Sequence, residues 1–310
     1  MTVMVRAEGL AKRFGSRTIL DGIDFRIERG ERVALLGTNG AGKTTLFRCL
    51  LGLVGFEGRL TVDGLEAGRR AREVRARVAY LPQLPPLFDQ SLAGFLELFA
   101  NLRGIPVEAV VDRLEHLGLT WADARGQTLR ALSGGMLQKA YLALALAARA
   151  PLLVLDEPSA SLDPSSRRDL LLHLAEVSRD TTMILASHRL EEIEPLAERI
   201  LVIAEGRIVF DGSLTDLWGV TETERGLWVD VPADEELAAA AILRSHPAVR
   251  AVRVNGRGIG IAVEEAAQLD VLFHLRQRAI RVHDFRRLTP TLEDVMRRFA
   301  AGQKKGPVSA

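Results

Sequence analysis

The sequence is poor in cysteine and in aromatic residues, and it has no charge excess of either sign. Cys49 is its single cysteine, which excludes an intrachain disulfide framework and a cysteine-based zinc cluster and points to a reducing compartment. Lys and Arg number 41 against 40 Asp and Glu, a net charge of +1 over 310 residues. Without a basic excess no nucleic-acid partner is expected. Mean hydropathy is +0.09, yet no apolar run approaches the roughly 18 residues that would span a bilayer. The nearest, Ala140 to Ala148, is short and alanine-rich. Met1 to Arg6 lacks the charged and apolar regions of a signal peptide. No internal repeat or low-complexity block is present. The expectation is a cytosolic globular chain, since 47% hydrophobic and 26% charged residues are enough to build a core.

What is present is a set of short apolar runs separated by helical patterns. The first thirty residues read as small β-strands, ending at the turn Glu28 to Glu31. Val33 to Leu36, Leu152 to Leu155 and Thr182 to Ala186 read as fully buried strands. A helix is expected over Lys43 to Leu53, and helical periods fill Ser91 to about Ala150. Ile200 to Ile203 and Arg207 to Phe210 flank Glu205-Gly206 as a hairpin. Buried strands alternating with helices imply an α/β sheet with parallel members. After about Asp216 the order becomes βαββαβ, a split βαβ arrangement, with strands at Leu227 to Val231, Val249 to Val254, Ile259 to Val263 and Ile280 to Phe285. Helices are expected over Asp234 to Leu243 and Glu265 to Arg276. A last helix over Thr291 to Ala300, begun by Thr289-Pro290, precedes a polar tail, 301–310, that is expected to be disordered.

Gly37 to Thr44 matches G-x-x-x-x-G-K-S/T between a buried strand and a helix, the context that confirms a phosphate-binding loop. The glycines Gly37, Gly40 and Gly42 would let successive backbone N–H groups, those of Asn39 and Ala41 among them, converge on the phosphates, where a β-carbon at a glycine position would obstruct the approach. The helix beginning at Lys43, with Thr44 and Thr45 in its first turn, presents its positive dipole end to the same anion. Lys43 is expected on the β- and γ-phosphates, and the Thr44 hydroxyl on Mg²⁺. Asp156 and Glu157 end a buried apolar strand. Asp156 is placed to hold Mg²⁺ through water, and Glu157 to polarise the attacking water.

Leu132-Ser133-Gly134-Gly135-Met136, opening a long helix, narrows the choice. The chain resembles the ATP-binding subunit of an ABC transporter, whose signature is LSGGQ; Met136 departs from it at the last position, and Thr38 stands where proline is common. The resemblance runs in order through residues 1 to about 217: Gln83 matches the Q-loop, Ser161-Leu162-Asp163 the D-loop and His188 the switch histidine. It implies a P-loop ATPase domain over 1–217, with a mixed sheet core, an antiparallel β subdomain and a helical subdomain at about 84–150. A small α+β domain over 218–300 follows. It also implies a head-to-tail homodimer that sandwiches two ATPs, in which Ser133, Gly134, Gly135 and Asp163 act across the interface. Gln83 would sense Mg²⁺ and the attacking water, and His188 would hold Glu157 and the γ-phosphate. Phe14 stands where an aromatic stacks on adenine, with a core aromatic as the competing reading.

Thr289 to Val295 resembles the closing segment of ATP-binding subunits in ABC-2-type exporters, and Ser91 to Ala100 resembles their helices, which favours export over import. The resemblance implies a separate integral membrane permease, docked near Gln83 to Phe99 and holding the subunit at the cytoplasmic face of the membrane. The rival reading is a soluble ABC ATPase acting on nucleic acid or the ribosome, but a single cassette with no long coiled-coil insertion does not favour it. The basic run Arg69, Arg70, Arg72, Arg75 and Arg77 lacks interleaved aromatics and reads as a solvated helix face. Gly256 to Gly260 reads as a hairpin turn. His116, His173, His246, His274 and His283 lack metal-ligand spacing, and Cys49 reads as a small buried hydrophobe.

Overall fold

Apolar alternation near the N-terminus becomes two 12-residue strands, β1 (Val3–Phe14) and β2 (Arg17–Glu28), in a computed structural model of the chain. The structure describes residues 2–177, 180–221, 226–254, 256, 258–288, 295–296 and 299. These strands are longer than the short runs in the sequence suggest. Register shifts along β1, between Ala7 and Leu10 for example, let pairing resume after each irregularity.

The chain continues through β3 (Arg32–Leu36), α1 (Lys43–Leu50), β4 (Glu57–Val62), β5 (Leu65–Glu66), α2 (Ala71–Arg77) and β6 (Val78–Leu81). The helices α3 (Leu92–Arg103), α4 (Val107–His116), α5 (Trp121–Ala124) and α6 (Gly134–Ala147) follow. Then come β7 (Leu152–Asp156), α7 (Pro164–Ala175), β8 (Thr182–Ala186), α8 (Leu190–Ile193), β9 (Arg199–Ala204), β10 (Arg207–Gly212) and α9 (Leu214–Thr221). An antiparallel sheet has the order β2-β1-β4-β5, and a second sheet the order β10-β9-β3-β8-β7-β6.

In the second sheet β3 pairs parallel with β8 and β9, β8 with β7, and β7 with β6, while β9 and β10 form an antiparallel hairpin. Every residue of β3, β7 and β8 is buried, as expected for strands covered on both faces. Leu35 and Asp156 both stand opposite Ala186, and Leu81 stands opposite Leu155. The carboxyl ends of β3, β8, β7 and β6 therefore finish side by side, where open α/β sheets place ligand sites.

Helix α1 stops at Leu50 rather than Leu53 for a local reason. Gly52 takes φ +62° and donates to Cys49 O, and Leu53 donates to Arg48 O, a Schellman ending. A β-carbon at Gly52 would lie 2.4 Å from Ala67 O, so the stop is also enforced by packing. Cys49 is fully buried in α1, and burial pushes its thiol up to about 11. The helical segment is anchored by Phe95, fully buried and with its ring centroid 4.7 Å from Phe99 and 4.8 Å from Tyr141.

The chain divides into two compact units, one running up to Leu217 and the other starting at Trp218. The second contains β11 (Gly226–Asp230), α10 (Glu236–Arg244), β12 (Val249–Val254), β13 (Ile259–Val263), α11 (Gln268–Gln277) and β14 (Asp284–Leu288). Its sheet is antiparallel with the order β12-β13-β11-β14, the split βαβ arrangement. Leu227, Val229, Ile261, Leu243 and Leu275 form its core. The last strand starts four residues later than the sequence pattern suggests. Ile280 is buried by packing just after Ala279 at φ +63°, and ladder pairing begins only where Asp284 meets Asp230 of β11. Likewise, Glu265 to Ala267 is a 3-10 turn rather than the first turn of α11.

The expected helix start at Thr289-Pro290 and the tail 301–310 lie outside the described residues. So does the expected helix 291–300, except at Val295, Met296 and Phe299, which are helical. Among the described residues, no helix is long and apolar enough to cross a membrane.

Candidate functional site

The loop from Gly37 to Gly42 leaves β3 and turns sharply into α1. Gly42 has φ +113°, and a β-carbon there would lie 2.8 Å from Leu20 Cδ2 and 3.0 Å from Ile19 O. A β-carbon on Gly37 would lie 2.6 Å from Ile203 O. Close walls therefore require glycine at both positions. Thr38, Asn39 and Gly40 are exposed at the rim, while Ala41 is buried and Thr45 half-buried in the first turn of α1.

Lys43 is buried beneath this loop. Its Nζ donates to Gly37 O at 2.6 Å and to Thr38 O at 3.4 Å, and stands 3.5 Å from Glu157 Oε1. The Thr44 hydroxyl donates to Asp156 Oδ2 at 2.7 Å, and the Tyr80 hydroxyl approaches the same oxygen at 3.4 Å. Burial pushes the Asp156 carboxyl above its ordinary range, and the neighbouring Glu157 charge adds to this against the Thr44 hydrogen bond and Lys43. Asp156 Oδ1 and Glu157 Oε1 are buried without a hydrogen-bond partner. Orphaned carboxylate oxygens are costly in a protein interior. Oxygen donors of this kind beside a hydroxyl suit a hard divalent cation.

Glu157 holds φ +52°, a left-handed backbone uncommon outside glycine, stabilised by its N–H donating to Ala186 O at 2.9 Å. This turn brings its carboxylate to His188 just beyond β8: His188 Nδ1 is 2.7 Å from Glu157 Oε2. Strain of this kind concentrates at functional sites. Lys43, Thr44, Asp156, Glu157 and His188 thus form one connected cluster across the ends of three neighbouring strands.

The other expected residues lie around it. Gln83 is exposed on the loop leaving β6, two residues past Leu81 as Glu157 is two past Leu155. It is not drawn into the hydrogen-bonded cluster among the described residues. Ser133 caps α6, its Oγ accepting from Met136 N at 3.2 Å. Gly134 and Gly135 lie against Ser161 and Leu162, where a β-carbon on either glycine would stand 3.4 Å from Ser161, rather than against the Lys43 cluster. Asp163 caps α7. Hydrogen bonds from the Ser165 hydroxyl and from Ser166 hold its carboxyl well below the usual range. Phe14 is 49% exposed at the end of β1, with Lys12 Nζ 4.7 Å above its ring, so it is not a core aromatic. The histidines form no metal cluster among the described residues.

Three participants carry no sequence motif. Tyr80 reaches Asp156 from β6. Gln138 is buried in α6 and donates to Pro158 O at 2.9 Å, tying the helix opened by Ser133 to the backbone after Glu157. Glu192 of α8 is 2% exposed and bonded to Ser159 and Ser187.

A largely parallel sheet with a glycine-rich loop feeding a helix, and two carboxylates at the end of the second strand over, defines a P-loop nucleotide hydrolase. A family model described as ABC transporter matches residues 20–160. The daunorubicin resistance ATP-binding protein DrrA3 of Streptomyces coeruleorubidus is 34% identical over 301 residues, 94% of either chain. The linearmycin resistance ATP-binding protein LnrL of Bacillus subtilis is 30% identical over 287 residues, 90% of this chain and 91% of that one. A solved ATP-binding subunit of an ABC transporter superposes with a TM-score of 0.63 at 27% identity, covering 70% of this chain and 92% of the other. The chain belongs to the ABC transporter ATP-binding family, whose domain hydrolyses ATP.

Proposed function

We propose that this chain is the Mg²⁺-dependent motor of an exporter whose membrane-crossing part is a separate permease. The connected cluster of Lys43, Thr44, Asp156, Glu157 and His188 carries this reading. Lys43, held in place by Gly37 O, Thr38 O and Glu157, exchanges those partners for the β- and γ-phosphates when ATP enters the loop. The N–H groups of Gly37 to Thr45 and the start of α1 receive the remaining phosphate charge. Thr44 and Asp156, with Gln83 from the adjacent strand end, would hold Mg²⁺, which when bound neutralises charge on the phosphate oxygens. Glu157 orients and polarises the attacking water, and His188 fixes Glu157 while reaching the γ-phosphate.

A second copy completes the site. Ser133 and Gly134 are exposed at the start of the 14-residue α6, a geometry that supports capture of the γ-phosphate bound to the other protomer in a head-to-tail homodimer. Asp163 follows two residues after Ser161, which packs against Gly134 and Gly135, and Phe14 is open enough for a base to stack on it. Exposed Leu84, Leu87, Phe88 and Leu98, next to Gln83, support permease docking over Gln83 to Phe99, which would hold the subunit at the cytoplasmic face of the membrane. Relatives named for drug resistance support export. Action on nucleic acid is disfavoured because three of the five arginines of the basic run are ion-paired: Arg69 with Glu66 at 3.3 Å, Arg77 with Asp63 at 2.7 Å, and Arg70 with Glu73.

Affinity capture of the tagged chain from detergent-solubilised membranes, with ATP turnover measured with and without Mg²⁺, tests the reading. Recovery of an integral membrane polypeptide with Mg²⁺-dependent turnover is expected. Turnover stimulated by nucleic acid, with no membrane polypeptide recovered, would overturn it.

A further inference from the structure

Glu192 is a buried carboxylate that the hydrolytic cluster does not use. It is 2% exposed, and its polar contacts among the described residues are to segments adjoining the cluster. Ser159, two residues beyond Glu157, donates its hydroxyl to Oε1. Ser187, immediately before His188, donates its hydroxyl to Oε2 at 2.9 Å. Arg167 Nε of α7 and Arg189 Nε, which follows His188, stand 3.5 and 3.7 Å from Oε1. Ser187 Oγ in turn accepts from Arg189 N at 3.0 Å. Burying an ionised carboxylate is expensive, and two hydroxyl donors with two guanidinium groups are what make it tolerable.

The two oxygens of this side chain therefore grip two different loops. One loop carries Glu157 and leads on through Ser161 to Asp163; the other carries His188. These are the loops whose separation sets the 2.7 Å contact between His188 Nδ1 and Glu157 Oε2. Nothing else among the described hydrogen bonds joins Ser159 to Ser187. A displacement of Ser159, which is continuous with the Ser161 backbone under Gly134 and Gly135, would reach the residue before His188 through this carboxylate, a side-chain link beside the backbone bond from Glu157 N to Ala186 O.

We propose that Glu192 is a positioning residue for ATP hydrolysis. It clamps the loop after β7 to the loop after β8, holds His188 in register with Glu157, and makes that register responsive to the Ser159 to Asp163 segment. The inference rests on the reading of Glu157 and His188 as the hydrolytic pair. The Glu192 carboxylate bonds to Ser159 and Ser187 and not to Lys43, Thr44 or Asp156 among the described residues, so its loss should act on turnover and not on ATP affinity.

A double-mutant cycle in the full chain with His188 separates these ideas. Glu192→Ala is expected to lower kcat by roughly 10- to 100-fold with KM for ATP moving less than about threefold, because geometry and not binding is lost. In a His188→Ala background the same change should cost no more than about twofold, since the contact it maintains is already gone. Glu192→Gln keeps the volume and can still bridge both hydroxyls, so it should recover most of the turnover. Ser187→Ala, which removes one tether without exposing a buried charge, should give a smaller kcat loss that also vanishes in the His188→Ala background, even where Glu192→Ala fails to fold. Fold-losses that multiply across the cycle, or a Glu192→Ala enzyme with unaltered kcat, would overturn the inference while leaving the hydrolytic pair in place. Unaltered kcat in His188→Ala alone would overturn the pair itself, and the positioning role with it.

Discussion

His188 Nδ1 lies 2.7 Å from Glu157 Oε2, while Lys43 Nζ lies 3.5 Å from the other oxygen of the same carboxylate. Glu157 is thereby held between a cation beneath the phosphate loop and an imidazole from the next strand. Its left-handed φ of +52° keeps it at the end of β7 instead of letting the chain run on. In the proposed mechanism this carboxylate is the group that polarises water. Glu157→Gln keeps the shape and removes its charge. We expect ATP binding to persist, turnover to fall by at least about 100-fold, and an ATP-retaining dimer to accumulate on size-exclusion chromatography with light scattering. Near-normal ATP hydrolysis would remove Glu157 from its assigned role.

Asp156 gives a prediction in which activity and stability move in opposite directions. Burial raises its carboxyl pKa, so the folded protein binds that proton more tightly than the unfolded chain does. Its contribution to stability is present below the unfolded pKa and is lost as pH rises through the raised folded value. Asp156→Asn removes the penalty while leaving an oxygen to accept from Thr44. Without nucleotide at neutral pH, the variant should be more stable by on the order of 1 kcal/mol, with the advantage shrinking as pH falls toward 4. Mg²⁺-ATP should raise Tm in the wild type and fail to do so in the variant. Thermal melts at several pH values, with and without Mg²⁺-ATP, measure both halves.

Met136 replaces the glutamine of the family signature, yet what the structure uses at that position is the backbone. Met136 N donates to Ser133 Oγ, a helix cap that any side chain permits. Met136→Gln should leave the cap and both glycines intact and change kcat by less than about threefold. A change of tenfold or more in steady-state turnover would mean that the side chain itself reaches the nucleotide or the partner.

The site was legible in sequence where chemistry is local. Gly37 to Thr44 reads as a phosphate loop because strand, glycines, lysine and helix follow one another without interruption, and Asp156-Glu157 reads as a strand-end pair for the same reason. Glu192 did not, because Leu190 to Ile193 looks like an ordinary amphipathic turn. Only folding brings Ser159 and Ser187 to its two oxygens. Tyr80 and Gln138 were invisible for the same reason, since their partners lie on other elements. In the fold, the fully apolar runs of β3, β7 and β8 announced a buried parallel sheet. The length of β1 and the start of β14 depended on bulges and on which stretch of a neighbouring strand was free to pair, and alternation carries neither.

Lys43 carries the last prediction. Its side chain and that of Glu157 are both nearly inaccessible, 7% and 5% exposed, and Asp156 lies beside them. Removing the cation leaves two neighbouring buried carboxylates with His188, Thr44 and Tyr80 as their remaining close partners. Lys43→Met preserves much of the volume, so the loss is electrostatic, and it should destabilise the nucleotide-free protein by about 2 to 3 kcal/mol. It should also weaken ATP binding by 100-fold or more, on the order of 3 kcal/mol, because the phosphate charge loses its nearest cation. Adding Asp156→Asn to this background relieves the crowding of negative charge and should return most of the lost stability. It cannot return affinity, because it supplies no positive group under the loop. Chemical denaturation of the wild type and these two variants beside equilibrium titration with a fluorescent ATP analogue separates the two effects. Recovery of ATP affinity in the double variant would show that Lys43 serves to neutralise Asp156 and Glu157 and not to bind phosphate.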